Sequence, residues 1–149
     1  MHLYMHSLLA CKEAGYTHED KHAMWHALYD MYNIIFRDQD FGVWEERLAK
    51  ICFYMAMESA QSRESENALA ELEQMLVHIA NKNKHGEVTH TSLLVNRITV
   101  DRNSIPKHTT ESLKHSSLRY LTSAEENGVF DAIKDDLRYK TFKKELNAQ

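Results

Sequence analysis

Residues 65–83 read SENALAELEQMLVHIANKN, and this stretch decides the fold class. Its large apolar side chains recur at intervals of three or four residues, as they do on one face of an α-helix: Leu69, Leu72, Leu76 and Ile79. Ser62 or Ser65 can cap the start of this helix, because a serine hydroxyl accepts a hydrogen bond from a free N–H of the first turn. The stretch therefore predicts an amphipathic helix that ends at about Asn83.

The composition extends this prediction to the whole chain. The 149 residues are 43% hydrophobic and include only 4 Gly and 1 Pro, which leaves few residues for the tight turns of a strand-rich fold. The length suits one domain with a single core. We expect an all-α protein that forms one domain over residues 1–149.

Apolar periodicity and turn signals divide the rest of the chain. The expected helices are residues 2–14, Glu19–Phe36, Val43–Gln61, the helix that ends at Asn83, Thr110–Glu126, and a short last helix capped by Asp135 or Asp136. In the second helix Met24, Leu28, Met31 and Ile35 form one stripe, beside Trp25, Tyr29, Tyr32 and Phe36. We predict two antiparallel helical hairpins over 1–83, an extended connection over 84–108, and capping helices over 109–149.

Charge and cysteine usage exclude several classes of protein. The net charge of −4 provides no general attraction to nucleic acid or to an anionic membrane. The longest apolar run, 51–57, is far shorter than a membrane span. Cys11 and Cys52 lie in apolar stretches without a partner pattern, which is typical of buried free thiols in a reducing compartment. We expect a cytoplasmic protein.

The two predicted hairpins have the features of degenerate repeats. Each second helix has a small residue before a larger apolar one, Ala23-Met24 in the first hairpin and Ala68-Leu69 in the second. The distance in sequence from Ala23 to Ala68 is longer than the roughly 34 residues of a simple tetratricopeptide unit. The long helix and turn of the first hairpin account for the additional residues. The pattern predicts a tetratricopeptide-like stack of helical hairpins.

Three further blocks resemble one group of bacterial proteins. IIFRDQDFG at 34–42 resembles the IIFEDGDFG linker of that group, and HTSLLVNR at 90–97 resembles its HTSLLVNR segment. FDAIKDDLRYK at 130–140 resembles the closing FDxIRDDxRFK motif. Together with 68–80, these blocks follow the order of the group: the C-terminal tetratricopeptide-like domain of Xre-type, Cro/CI-like helix-turn-helix transcriptional regulators.

The resemblance implies a helical repeat domain that lies downstream of a DNA-binding module and serves self-association or the sensing of an effector. The chain has no room for the helix-turn-helix, so we expect the DNA-binding module to be absent and no direct nucleic-acid binding. The resemblance brings no catalytic residue and no cofactor. The partner it implies is a protein or peptide, with a second copy of the chain as one option.

A different hypothesis comes from HEDKH at 18–22, which matches the HExxH pattern of zinc peptidases. On a helix, His18 and His22 point the same way and can bind one zinc ion while Glu19 activates its water. However, the polar residues of this helix lie opposite its apolar stripe, and this favours a solvated face: His22, His26, Asp30 and Asn33. A small zinc hydrolase is therefore the alternative to a non-catalytic interaction domain.

Aromatic side chains concentrate in the first three predicted helices. The set that could line a groove for a ligand or partner on the concave side comprises Tyr4, Trp25, Tyr29, Tyr32, Trp44 and Tyr54. Aromatic residues at helical spacing also build cores, so this pattern alone leaves both roles open. A purely structural oligomerisation module is the third hypothesis.

Overall fold

The computed structural model describes residues 15–82, 87–90, 94–95, 99–101 and 107–148, with the backbone alone at 88, 100 and 107–115. In chain order the elements are α1 (His18–Ile35), a 3-10 helix η1 (Gly42–Trp44), α2 (Glu45–Gln61), α3 (Ser65–Lys82), β1 (Glu87–Thr89), β2 (Thr99–Asp101), α4 (Lys107–Glu126) and α5 (Leu137–Ala148). The all-α class is confirmed, and the helix bounds agree with the predicted ones to within about three residues. The predicted first helix, residues 2–14, lies outside the described residues.

The helix α1 begins at a capping box. The hydroxyl of Thr17 accepts from the N–H of Asp20 at 3.1 Å, and the Asp20 carboxylate accepts from the N–H of Thr17 at 3.0 Å. Two free backbone donors of the first turn are satisfied in this way. Reciprocal capping explains why the helix begins at His18.

The buried face of α1 is centred on the aromatic stripe and not on the stripe of Met24, Leu28, Met31 and Ile35. Trp25, Leu28, Tyr32 and Phe36 are buried, whereas Met31 is 47% exposed. The aromatic stripe is buried because it packs against α2 and against the turn that follows α1. In that turn, the ring of Phe41 contacts the ring of Phe36 at 5.8 Å between centroids. The larger aromatic surface is thus removed from water.

The helices pack as consecutive antiparallel pairs, α1 with α2 and α2 with α3. The side chains of α2 that face α1 are Leu48, Ile51 and Met55. A second core cluster is shared by α2, α3, α4 and α5. The side chains that α2 contributes to this cluster are Ala49, Cys52, Phe53, Ala56 and Ala60. The alanines permit a close approach of α2 and α3, and α2 packs against both of its neighbours, α1 and α3.

The end of the chain covers the open side of α3. Gly128, at φ +70°, ends α4, and the following turn places Phe130 and Ile133 in the core. The buried side chains of α5 are Tyr139, Phe142 and Leu146, as predicted for the last helix. Arg138 at the start of α5 binds the carboxylates of Glu66 and Glu73 on α3.

The strands β1 and β2 form a short antiparallel pair in which Val88 lies opposite Val100. His90 follows β1 and is buried against Phe36, with 5.1 Å between ring centroids. Its Nδ1 lies 3.3 Å from a carboxylate oxygen of Asp38. This histidine attaches the segment after β1 to the turn after α1.

None of the helices in the described part of the chain is long and apolar enough to cross a membrane.

Candidate functional site

A groove with a volume of about 540 Å³ opens between three helices. The first half of α1 and the end of α4 form its two walls, and the second half of α2 forms its floor. The lining residues are His18, Lys21, Met24 and Trp25 on α1; Phe53, Tyr54, Met57, Glu58 and Gln61 on α2; and Tyr120, Ser123, Ala124, Asn127 and Val129 on α4 and its following turn. This volume is in the range of small-molecule sites, roughly 300–1,000 Å³.

The base of the groove is aromatic. The rings of Trp25 and Tyr54 are stacked, with 4.6 Å between centroids and 14° between planes. Phe53 contacts Tyr54 at 6.1 Å and Tyr120 at 6.3 Å between ring centroids. Trp25 and Phe53 are buried, while Tyr54 and Tyr120 are half-buried and present part of their surface to the groove. An apolar ligand can therefore cover a rigid aromatic surface that already exists.

The tyrosine hydroxyl of Tyr54 stays protonated at neutral pH. Burial raises its pKa above the ordinary value, and the neighbouring Tyr120 raises it further. A neutral phenol both donates and accepts hydrogen bonds. The base of the groove thus offers polar contacts without a charge.

The rim of the groove is polar. His18, the first residue of α1, has its Nδ1 2.6 Å from a carboxylate oxygen of Glu58 near the end of α2. Lys21 lies one turn further along the same wall, and Ser123 and Asn127 lie on the opposite wall. A polar rim around an apolar base is typical of a binding site, in which the rim sets orientation and the base supplies apolar contact area.

The predicted aromatic set divides between several places. Trp25 and Tyr54 do meet in the groove, as described above. Tyr29 instead faces α3, where its hydroxyl is bonded to His78 and Gln74. Tyr4 lies outside the described residues.

Besides Tyr29, two more members of that set do not line the groove. Tyr32 is 1% exposed, so its ring is part of the core and presents no surface to a ligand. Trp44 is 37% exposed at the start of α2, beneath the guanidinium of Arg47 at 4.8 Å from the ring centroid. The wall from α4, by contrast, was missing from the predicted set, because periodicity does not show which distant helices meet.

The histidines of HEDKH contact two different helices. His18 binds Glu58 on α2, whereas Nε2 of His22 lies 2.5 Å from a carboxylate oxygen of Glu71 on α3. The prediction of a solvated face is therefore wrong for His22, which is half-buried, while His26 and Asp30 form an exposed pair. No cluster of three or more His, Cys, Asp or Glu side chains that could hold a metal occurs among the residues the structure describes.

Glu19, the base in the zinc hypothesis, is exposed at the start of α1. Its pKa is lowered mainly by a hydrogen bond from its own backbone N–H and, to a smaller extent, by one from the Thr17 hydroxyl. A general base is most effective when its pKa lies near the working pH. The environment of Glu19 thus makes this carboxylate a weaker base than an ordinary glutamate.

Buried and half-buried polar side chains join α1, α2 and α3 outside the groove lining. This polar seam comprises His22, Tyr29, Glu45, Ser59, Glu71 and His78. His22 bonds to Glu71 and Tyr29 to His78, and each pair spans 49 residues of sequence. Because both partners advance by the same number of residues, α1 and α3 run parallel with a fixed register.

One part of the polar seam has the order of a catalytic triad: the hydroxyl of Tyr29, the imidazole of His78 and the carboxylate of Glu45. A nucleophilic tyrosine needs an accessible phenolate of lowered pKa. Here burial raises the pKa of Tyr29 to about 12. The arrangement therefore stabilises the neutral phenol, and we interpret it as a structural contact between helices.

Comparison with protein-family models, curated proteins and solved structures finds no match to this chain. The resemblance to the C-terminal domain of Xre-type regulators therefore stays a prediction from the blocks at 34–42, 90–97 and 130–140.

Proposed function

We propose that the chain is a non-catalytic interaction and effector-sensing domain, built of tetratricopeptide-like helical hairpins, of an Xre-type transcriptional regulator. The groove between α1, α2 and α4 is its binding site. The observation that supports this proposal is the stacked pair of Trp25 and Tyr54 beneath a polar rim. The partner is a protein, a peptide or a small effector, and binding of nucleic acid belongs to a separate module.

The helix arrangement supports the repeat architecture. The consecutive antiparallel pairs α1–α2 and α2–α3 share α2, and α1 and α3 run parallel in register. Repeats of helical hairpins stack in this way and need a cap at their open end, because an uncovered hairpin exposes an apolar face. The helix α5 supplies such a cap for α3 through Tyr139, Phe142 and Leu146.

The chemistry of the groove favours binding over hydrolysis. Its apolar base carries the neutral phenol of Tyr54, its histidine is bonded to a carboxylate, and the glutamate of HEDKH lies outside the groove lining at an exposed helix start. The phenol and the histidine can orient a ligand, since they present hydrogen-bonding groups at fixed positions around an apolar surface. They are not arranged around a common reacting atom.

The test compares two arginine substitutions at apolar positions: Met57 is half-buried in the groove, and Val77 is exposed outside it. Met57→Arg places a charge on the floor of the groove, and Val77→Arg places the same charge on the outer face of α3. The probes are uncharged: indole and N-acetyl-leucyl-phenylalanine amide, titrated by saturation-transfer NMR. We expect binding by the wild type and Val77→Arg and at least about tenfold weaker binding by Met57→Arg, because the charge loses water when the ligand covers it.

Equal affinity of all three proteins, or no binding of either probe, would contradict the proposed site. Circular dichroism of each variant checks that the helices are retained. Native mass spectrometry of the full chain tests the remaining alternatives in one spectrum. One zinc ion per chain that survives mild chelation would support the hydrolase, with loss of activity in Glu19→Gln as its second test, and a dimeric mass would support self-association.

A further inference from the structure

Lys21 is the lysine on the wall of the groove, and its surroundings differ from those of Lys50 and Lys82. Among the residues that the structure describes, no carboxylate lies within ion-pair distance of its ammonium group. Lys50 and Lys82, by comparison, bind the two carboxylate oxygens of Glu46 at 3.0 and 2.6 Å. Lys21 is half-buried, so it carries a partly dehydrated charge beside an apolar surface.

The carboxylate of the groove lining is already engaged. Glu58 holds the imidazole of His18 at 2.6 Å on the rim, and this bond connects α1 to α2 at the end of the groove. A ligand that enters the groove therefore finds Lys21 as the cation without a counter-charge. Charge complementarity favours an anionic group on the occupant at this position.

The helical positions place the cation directly beside the aromatic base. Trp25 lies four residues after Lys21 on α1, and residues at this spacing share one face of a helix. The opposite wall carries Ser123, whose hydroxyl can donate a hydrogen bond, and Asn127, whose amide already donates to the Ser123 carbonyl at 2.7 Å and has a second N–H. An anion at Lys21 would thus have an apolar surface on one side and polar donors across the groove.

We propose that the ligand of this groove is a small carboxylic acid with an aromatic or branched aliphatic body. Its carboxylate binds Lys21, and its body covers Tyr54, Met57 and Tyr120. The cavity of about 540 Å³ suits a molecule of that size. The inference rests on the proposed function, since it names the ligand class of the same groove.

The experiment uses Trp25 as the reporter. The chain has 2 Trp, so Trp44→Phe leaves Trp25 as the one fluorescent indole, and it lies in the groove. The probes are 4-phenylbutyrate and 4-phenylbutyramide, which have the same body and differ in charge. Each is titrated into Trp44→Phe, into Trp44→Phe with Lys21→Gln, and into Trp44→Phe with Lys134→Gln. Lys134 is an exposed lysine outside the groove, so its substitution is a control for the change in net charge.

We expect the acid to bind about fivefold to tenfold more tightly than the amide in Trp44→Phe and in the Lys134→Gln control. In Lys21→Gln the acid should lose this advantage, while the affinity for the amide stays the same. Unchanged amide binding shows that the groove is intact in the variant.

Equal affinity for acid and amide in Trp44→Phe would overturn the proposed ligand class while leaving the groove as a binding site. A preference for the acid that survives Lys21→Gln would overturn the role of Lys21. Binding of a peptide with a free C-terminal carboxylate, with no response to 4-phenylbutyrate, would overturn the small acid in favour of a peptide. Failure of the proposed function is recognised separately, since the uncharged probes and Met57→Arg do not depend on Lys21.

Discussion

Glu45 and His78 face each other at 2.6 Å in the interior, and each is only 1% exposed. A buried carboxylate is tolerated when its oxygens have partners, and removing one partner leaves a buried charge uncompensated. The ring of His78 also contacts Tyr29, so this one side chain connects all three of the first helices. The polar seam therefore depends most strongly on His78.

We predict that His78→Ala lowers the free energy of unfolding by about 3–5 kcal/mol, because Glu45 loses its partner. The matched control is His26→Ala, which removes an exposed histidine bonded to Asp30 on the same helix and should change stability little. Urea denaturation followed by circular dichroism measures both. Similar losses in the two variants would show that the buried pair has no special weight.

Cys52 lies in the core of the molecule as a free thiol, as the sequence predicted. Burial raises its pKa far above the ordinary value, and the nearby charge of Glu71 adds to the shift. Since the thiolate is the reactive form, the raised pKa delays its formation as the pH increases. Both access and ionisation thus protect this sulfur.

We expect Cys52 to remain unmodified when the native chain is treated with iodoacetamide at pH 9, where an ordinary thiol of pKa about 8.5 is largely ionised. The same treatment in guanidinium chloride should modify it completely. Peptide mass mapping distinguishes Cys52 from Cys11. Rapid native alkylation of Cys52 would contradict the buried position.

At the scale of the element, the start of α1 determines where the groove wall begins. The capping box of Thr17 and Asp20 fixes the first turn, and that turn carries His18 and Lys21. An N-cap hydroxyl stabilises a helix by satisfying a free N–H. The cap thereby connects local stability to the rim of the binding site.

Thr17→Ala should lower the free energy of unfolding by about 1 kcal/mol, since the N–H of Asp20 loses its acceptor. Thr122→Ala is the matched control: it makes the same substitution at an exposed position inside α4, where alanine has the higher helix propensity. Thermal unfolding compares the two. A greater loss at Thr122 than at Thr17 would contradict the capping role.

The elements were predictable because their signals are local. The end of α4 at Gly128 and the buried side chains of α5 follow from spacing and capping residues close in sequence. The role of His22 was not predictable in the same way, because its partner Glu71 is 49 residues away. On a helical wheel alone, a histidine bonded to a distant glutamate looks the same as a solvated one.

The candidate site shows the same division. The stacking of Trp25 on Tyr54 joins α1 to α2, the next long helix in the chain, and the aromatic pattern placed both residues in the predicted set. The wall from α4, with Tyr120 and Asn127, depends on how the end of the chain returns to α2. Such long-range packing depends on tertiary contacts and has no signal in periodicity.

At the scale of the whole molecule, α5 covers the second core cluster. Phe142 is buried in that cluster, whereas Leu137 at the start of the same helix is 78% exposed. The two side chains are both large and apolar but differ in the surface that they remove from water. If α5 is an essential cap, the stability of the fold should depend on Phe142 and not on Leu137.

We predict a loss of about 3–5 kcal/mol in unfolding free energy for Phe142→Ala, from lost apolar burial and the cavity left behind. Leu137→Ala should be close to neutral, because its side chain is already in water. Urea denaturation of the full chain provides both values. If Phe142→Ala were as stable as Leu137→Ala and the wild type, α5 would be dispensable for the core.

The central claim is that the groove between α1, α2 and α4 binds a ligand, and its methionines allow the most direct test. With ¹³C-methyl methionine, Met24 and Met57 report on the groove, Met55 and Met75 report on the core, and Met31 reports on the exposed face of α1. On titration with N-acetyl-leucyl-phenylalanine amide and, separately, 4-phenylbutyrate, we predict saturable shifts of the Met24 and Met57 signals while the other three stay in place. Shifts confined to Met31, or no shift with either probe, would contradict the account.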